Sequence, residues 1–151
     1  EYLVSYTNVP IADVKPLTRE TFKPRGSTAL LDAIGRTLKE CKTQGPSAST
    51  PQQRSPTVVI LTDGLENASQ TYTKPHIKDL IEARQKDGWT FLYLGANQDA
   101  FAEASSIGIA PTGTMNYDSR RTPEAFRALS ATLSSQASNN TQALDFSTQL
   151  V

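Results

Sequence analysis

The chain has 151 residues, enough for one domain with a core of its own. Its 15 Lys and Arg balance its 15 Asp and Glu, so the formal net charge is zero and nothing in it favours a nucleic acid or an anionic membrane as partner. No apolar run approaches a membrane span, the single cysteine (Cys41) excludes an intrachain disulfide, and no signal peptide is visible, so the expected compartment is the cytoplasm.

In chain order, YLVSY at residues 2–6 reads as a strand leaving through a turn at 7–10. Residues 11–22 carry scattered apolar side chains, but Pro16 forbids a stable helix, so an extended connection is expected. Residues 23–27 form a loop. Residues 28–42 read as a helix with Leu30, Leu31, Ile34 and Leu38 on one face and Ser27 or Thr28 as N-cap. Gly35 within it either weakens the helix or marks close packing against a sheet. Residues 43–56 are polar, Pro- and Ser-rich and read as a loop.

The centre of the pattern is TVVILT at residues 57–62, too short and too β-branched for a helix and apolar enough for a fully buried parallel strand. It ends in Asp63-Gly64, where open α/β sheets place their ligand sites; a turn or helix cap explains such a pair equally well. Pro75 opens a helix to about Lys86 with Ile77, Leu80 and Ile81 inward, and Lys78–Glu82 one turn apart on its wet face. WTFLYLG at 89–95 is a second buried strand, 99–107 a third helix and 113–117 a short strand. A fourth helix starts at a Thr122 cap with Pro123 at its first position and Phe126, Leu129 and Leu133 inward. From Ala137 onward the chain is a polar tail. Alternation of strand and helix from residue 57 at βαβ spacing gives an α/β fold, a doubly wound and mostly parallel sheet flanked by helices.

Two segments carry chemistry. RGSTALLDAIG (25–35) sets the hydroxyl of Thr28 at a helix start just after Gly26-Ser27, and LTDG (61–64) sets the Asp63 carboxylate at a strand end. Together with VVILTDGLENAS, these resemble the von Willebrand factor A (vWA) domain, particularly the stand-alone bacterial type, and the similarity runs on through residues 89–97 and 116–117. The resemblance implies a Rossmann-like fold and a metal-ion-dependent adhesion site. In that site Thr28 and Asp63 would be metal ligands, with Gly26, Ser27, Gly64, Glu66 and Asn67 lining it. Turn stabilisation explains Asn67 equally well. The implied cofactor is Mg2+, which takes hard oxygen ligands and keeps several waters, and the implied activity is binding of a protein partner's carboxylate, not turnover.

The family's first motif, D-x-S-x-S, is absent where it is expected. Residues 1–136 therefore read as a partial vWA domain whose N-terminal strands are missing from this chain, residues 2–6 standing for its third strand. D-x-S at Asp145–Ser147 lies in the polar tail without a buried strand before it and reads as chance. A metal-free, degenerate vWA scaffold or subunit is the alternative. A phosphatase-like α/β hydrolase using Asp63 is a rival in which Leu61 stands at the nucleophile's place and no paired carboxylate supplies a general acid. A dinucleotide binder would need G-x-G-x-x-G after a strand, and none occurs. Asp32 is expected to pair with Arg36 one turn on, His76 to be a surface histidine, Trp89 to be core, and Asn97 to touch a ligand or cap a helix. The missing first strand would leave one edge of residues 57–62 without a ladder. That edge is expected to be filled by another chain, with a homo-oligomer as one form, or by residues 2–6.

Overall fold

The computed structural model describes residues 2–23, 26–41, 56–96 and 99–138. Among them are α1 (Leu30–Glu40), β1 (Thr57–Thr62), α2 (Lys74–Lys86), β2 (Thr90–Ala96), α3 (Ala100–Ser106), β3 (Thr114–Tyr117) and α4 (Thr122–Ala137). The strands form a parallel sheet in the order β1-β2-β3, with Thr57 opposite Thr90 and Tyr93 opposite Thr114. Side-chain alternation on β2 assigns its two faces. Phe91 and Tyr93 join Ile60, Leu31, Ile34, Leu38, Ile77, Ile81, Ala100 and Ala104 in one core. Leu92, Leu94 and Ala96 join Met115, Tyr117, Ala125 and Ala128 in the other. Helices thus cover both faces of the sheet, and the protein is α/β.

Local chemistry accounts for most element ends. Thr73 caps α2, and Pro75 sits in its first turn, where a missing N–H costs nothing. The carboxylate of Asp99 caps α3 by accepting from Ala102 N–H at 3.0 Å. Gly88 and Gly108, which follow α2 and α3, adopt positive φ (87° and 84°), a conformation that favours glycine. Trp89 is core, with the Arg84 guanidinium 5.2 Å from its ring centre. The Lys78–Glu82 pair spans 3.8 Å, and His76 is exposed, 5.1 Å from the Tyr72 ring.

Several expectations need correction. Residues 2–6 form no strand; apart from Tyr2 they are exposed, with the Tyr2 hydroxyl 3.1 Å from Thr37 Oγ1 and the Tyr6 hydroxyl donating to Lys15 O. β propensity makes a strand only when a ladder partner is present, and here Tyr2 alone reaches α1, at Thr37 and Arg36. β1 is parallel as expected but not fully buried. Ile60 and Thr62 are inside, whereas Val59 and Leu61 are 36% and 46% exposed on the opposite face. Phe126 is 45% exposed; the inward positions of α4 are Ala125, Ala128 and Thr132, with Leu129 and Leu133 half-buried on its flank. Thr122 is the first helical residue of α4, not its cap, and its hydroxyl donates to Ser119 O. The expected loop at 43–55, Asn97 and the tail from 139 lie outside the described residues.

Candidate functional site

Because the strands are parallel, their carboxyl ends lie along one edge, where β1 runs into Asp63 and β3 into Asp118. The loop after β1 does not hang free there. It is bound to the start of α1 by two carboxylates working in opposite directions. Oε2 of Glu66 accepts from Leu31 N–H at 2.9 Å and from the Ser69 hydroxyl at 2.8 Å, while Oε1 accepts from Ala68 and Ser69 N–H at 3.0 and 2.7 Å. Ser69 Oγ then accepts from Asp32 N–H at 3.0 Å. In return, the Asp32 carboxylate accepts from the N–H groups of Gln70, Thr71 and Tyr72 at 3.1, 2.9 and 2.9 Å.

Glu66 and Ser69 therefore satisfy the first-turn donors of α1 from another part of the chain, which is why the expected Ser27 or Thr28 cap is not made: Ala29 stands at that position without a side-chain bond. The backbone bonds from Gln70, then Tyr72 and Thr71, outweigh burial and hold the Asp32 carboxyl below its ordinary range. The charge of Arg36, one turn on, lowers it a little further, so the expected pairing contributes least; the guanidinium itself lies over the Tyr2 ring. Burial pushes Glu66 up, but the bonds from Leu31, Ser69 and Ala68 overcome it and the net shift is downward.

A third tie fixes Thr28. Its N–H donates to Asn67 Oδ1 at 2.9 Å, and its carbonyl accepts from Asn67 N–H at 3.0 Å. The Thr28 hydroxyl makes no bond within the described residues and sits against the Asp63-Gly64 turn: a Cβ on Gly64 would lie 3.1 Å from Thr28 Oγ1. At Gly64 it is this closeness, not an unusual dihedral, that a larger residue would meet, and the Thr28 hydroxyl would have to give by a few tenths of an ångström. The turn itself is held by Thr62, whose buried hydroxyl donates to Gly64 O at 2.8 Å. Asp63 is exposed. Its negative charge reaches Tyr117 at the end of β3, whose phenol is raised first by burial and then by that charge. Asp118, the next residue, is held down to about 2 by its bonds to Arg120 and is not a free acid.

The carboxyl edge thus brings together Thr28, Asp63 and Gly64, and adds Tyr117, which had not been singled out as a site residue. Glu66 and Asn67 lie beside the site, but their side-chain oxygens accept from Leu31 and Thr28 N–H and, for Glu66, from Ala68 and Ser69 of its own loop. Gly26 and Ser27 are exposed; a Cβ on Gly26 would meet nothing within 4 Å. Among the described residues no three His, Cys, Asp or Glu side chains gather as a metal cluster. An open cleft of about 610 Å³ lies elsewhere, lined by Arg36, Lys39, Glu40, Thr71 and Tyr72. Comparison with protein-family models, with curated proteins and with solved structures gave no match, so the vWA resemblance rests on the residues that carry it.

Proposed function

We propose that the chain is a vWA-type protein-binding module with a Rossmann-like fold, in which Thr28 and Asp63 contribute to a divalent-cation site that takes a carboxylate of a protein partner. The observation that carries this is the Thr28 hydroxyl, without a partner among the described residues, held against the Asp63-Gly64 turn at the carboxyl edge of a parallel sheet. The donor chemistry fits Mg2+: one hydroxyl and one carboxylate, both hard oxygens, with water and partner oxygens left to fill the sphere. When bound, the ion would supply positive charge for an incoming carboxylate. The chain's own part is to hold the two donors: Asn67 fixes the Thr28 backbone, Thr62 fixes the turn, and Gly64 admits the hydroxyl.

A metal-free scaffold of the same type is the second reading, favoured by the commitment of Glu66 and Asn67 to structural bonds. Calorimetric titration with Mg2+, in the presence and absence of a carboxylate peptide, separates the two. Saturable binding that Asp63→Ala abolishes and Thr28→Ala weakens supports the metal site. No heat from Mg2+ into the millimolar range leaves only the scaffold.

A further inference from the structure

The register of the sheet lines up three residues at its carboxyl edge. Ala96 stands opposite Tyr117, and one step past the Thr62–Gly95 pair the strand direction carries Asp63 level with Ala96. Neighbouring strands lie about 4.8 Å apart, so the backbones at 63 and 117 are separated by about 10 Å across that row. Alternation sets the row on one face. Leu94, Ala96, Met115 and Tyr117 share a core with Ala125 and Ala128 of α4, and Asp63 is two residues beyond Leu61, which stands opposite Leu94. Ala96 between them has only a methyl group, and the Asp63 charge acts on the phenol. Thr28 reaches the Asp63-Gly64 turn from the other side, ahead of α1, which packs on the opposite face.

Tyr117 is 9% exposed, with its ring packed in that core. Its hydroxyl is nevertheless not sealed from water, and it makes no hydrogen bond with another described residue. Buried phenols usually find a partner for the O–H. A phenol keeps its proton at neutral pH, so it donates to an anion and is no charged ligand for an ion. The turn after β3 carries Arg120 and Arg121 against the one carboxylate of Asp118, a local surplus of positive charge that favours an acidic occupant. We propose that Tyr117 is the second anchor of the partner's carboxylate: one oxygen goes to the ion held by Thr28 and Asp63, and the other accepts a hydrogen bond from the Tyr117 hydroxyl. This rests on the metal-site reading above and adds the residue that orients the bound group. A ring already fixed by the core loses little freedom when its hydroxyl is engaged.

Acetate titrated into Mg2+-saturated, isotope-labelled protein tests this, with amide shifts giving the affinity and the Tyr117 Cζ resonance reporting on the hydroxyl. The wild type should bind acetate, and the Cζ resonance should move along the same curve. Tyr117→Phe, which keeps the ring, should leave the Mg2+ affinity unchanged and weaken acetate about tenfold, the loss of one hydrogen bond to a charged group. Acetamide, of similar shape but uncharged, should bind neither protein. Mg2+ binding with no acetate binding, or with equal acetate affinity in wild type and Tyr117→Phe, overturns the proposal and leaves the metal site standing. A Cζ resonance that ignores acetate, or acetamide binding as well as acetate does, has the same consequence. Lost Mg2+ affinity or unfolding in Tyr117→Phe also overturns it, because the hydroxyl then serves the ion or the fold. A wild type that binds no Mg2+ overturns the metal-site reading and this proposal together.

Discussion

Replacing Glu66 with alanine removes the acceptor of four hydrogen bonds at once: those from Leu31 N–H, Ala68 N–H, Ser69 N–H and the Ser69 hydroxyl. The loop amides can turn to water at small cost. Leu31 N–H belongs to the first turn of α1, which has no local cap, so its loss is the main term. An unsatisfied buried donor costs about 1–3 kcal/mol, and Glu66 is only half-buried, so a total near 2 kcal/mol follows. For a chain of this size that lowers the melting temperature by about 4–8 °C. Glu66→Gln should lose nearly as much, because a single amide oxygen can serve one donor pair while its NH2 group faces the other. Urea unfolding of the three proteins, compared at equal m-values, reads the difference directly. A loss below about 0.5 kcal/mol in Glu66→Ala, the range of an ordinary surface change, would refute the capping role.

Gly35→Ala should destabilise despite alanine's helix propensity, since a Cβ there would lie 2.5 Å from the Tyr72 ring; relieving such overpacking costs about 1–3 kcal/mol against a gain of at most about 1, and a rise in melting temperature would disprove the close fit. Asp32 and Glu66 have folded-state values below their ordinary 3.8 and 4.5. Their stabilisation is present above those values and is lost as pH falls through the lower folded ones, so acid unfolding should steepen below about pH 4 and be shallower in Glu66→Ala when followed by circular dichroism. No Mg2+-dependent phosphoesterase turnover is expected, since Asp63 has no visible nucleophile–acid arrangement; hydrolysis of a generic aryl phosphate that disappears in Asp63→Asn would overturn this.

The repeating elements were legible because they rest on local rules. TVVILT is a strand over residues 57–62, and the apolar stripes of α1 and α2 contain Leu31, Ile34, Leu38, Ile77 and Ile81 in the core as their spacing requires. What lay beyond reach depends on neighbours distant in sequence. An apolar run cannot reveal that Val59 and Leu61 stay exposed, because burial is decided by what packs on the strand. Residues 2–6 have the composition of a strand but no ladder partner. Around the site, Thr28 and Asp63 were visible as a helix start and a strand end. The bonds that bring them together run through Asn67, Glu66, Ser69 and Asp32, some 35 or more positions apart from their partners on the other segment, and no short pattern encodes them.

The Thr28–Asp63 site is tested most directly by titrating Mn2+ into isotope-labelled protein and reading paramagnetic broadening of the backbone amides. The account predicts broadening centred on Thr28, Asp63 and Gly64, extending to Tyr117, displaced by excess Mg2+ and absent in Asp63→Ala. Broadening centred instead on the acidic surface of α2 at Asp79 and Glu82, or a Thr28–Gly64 signal unchanged in Asp63→Ala, would contradict it.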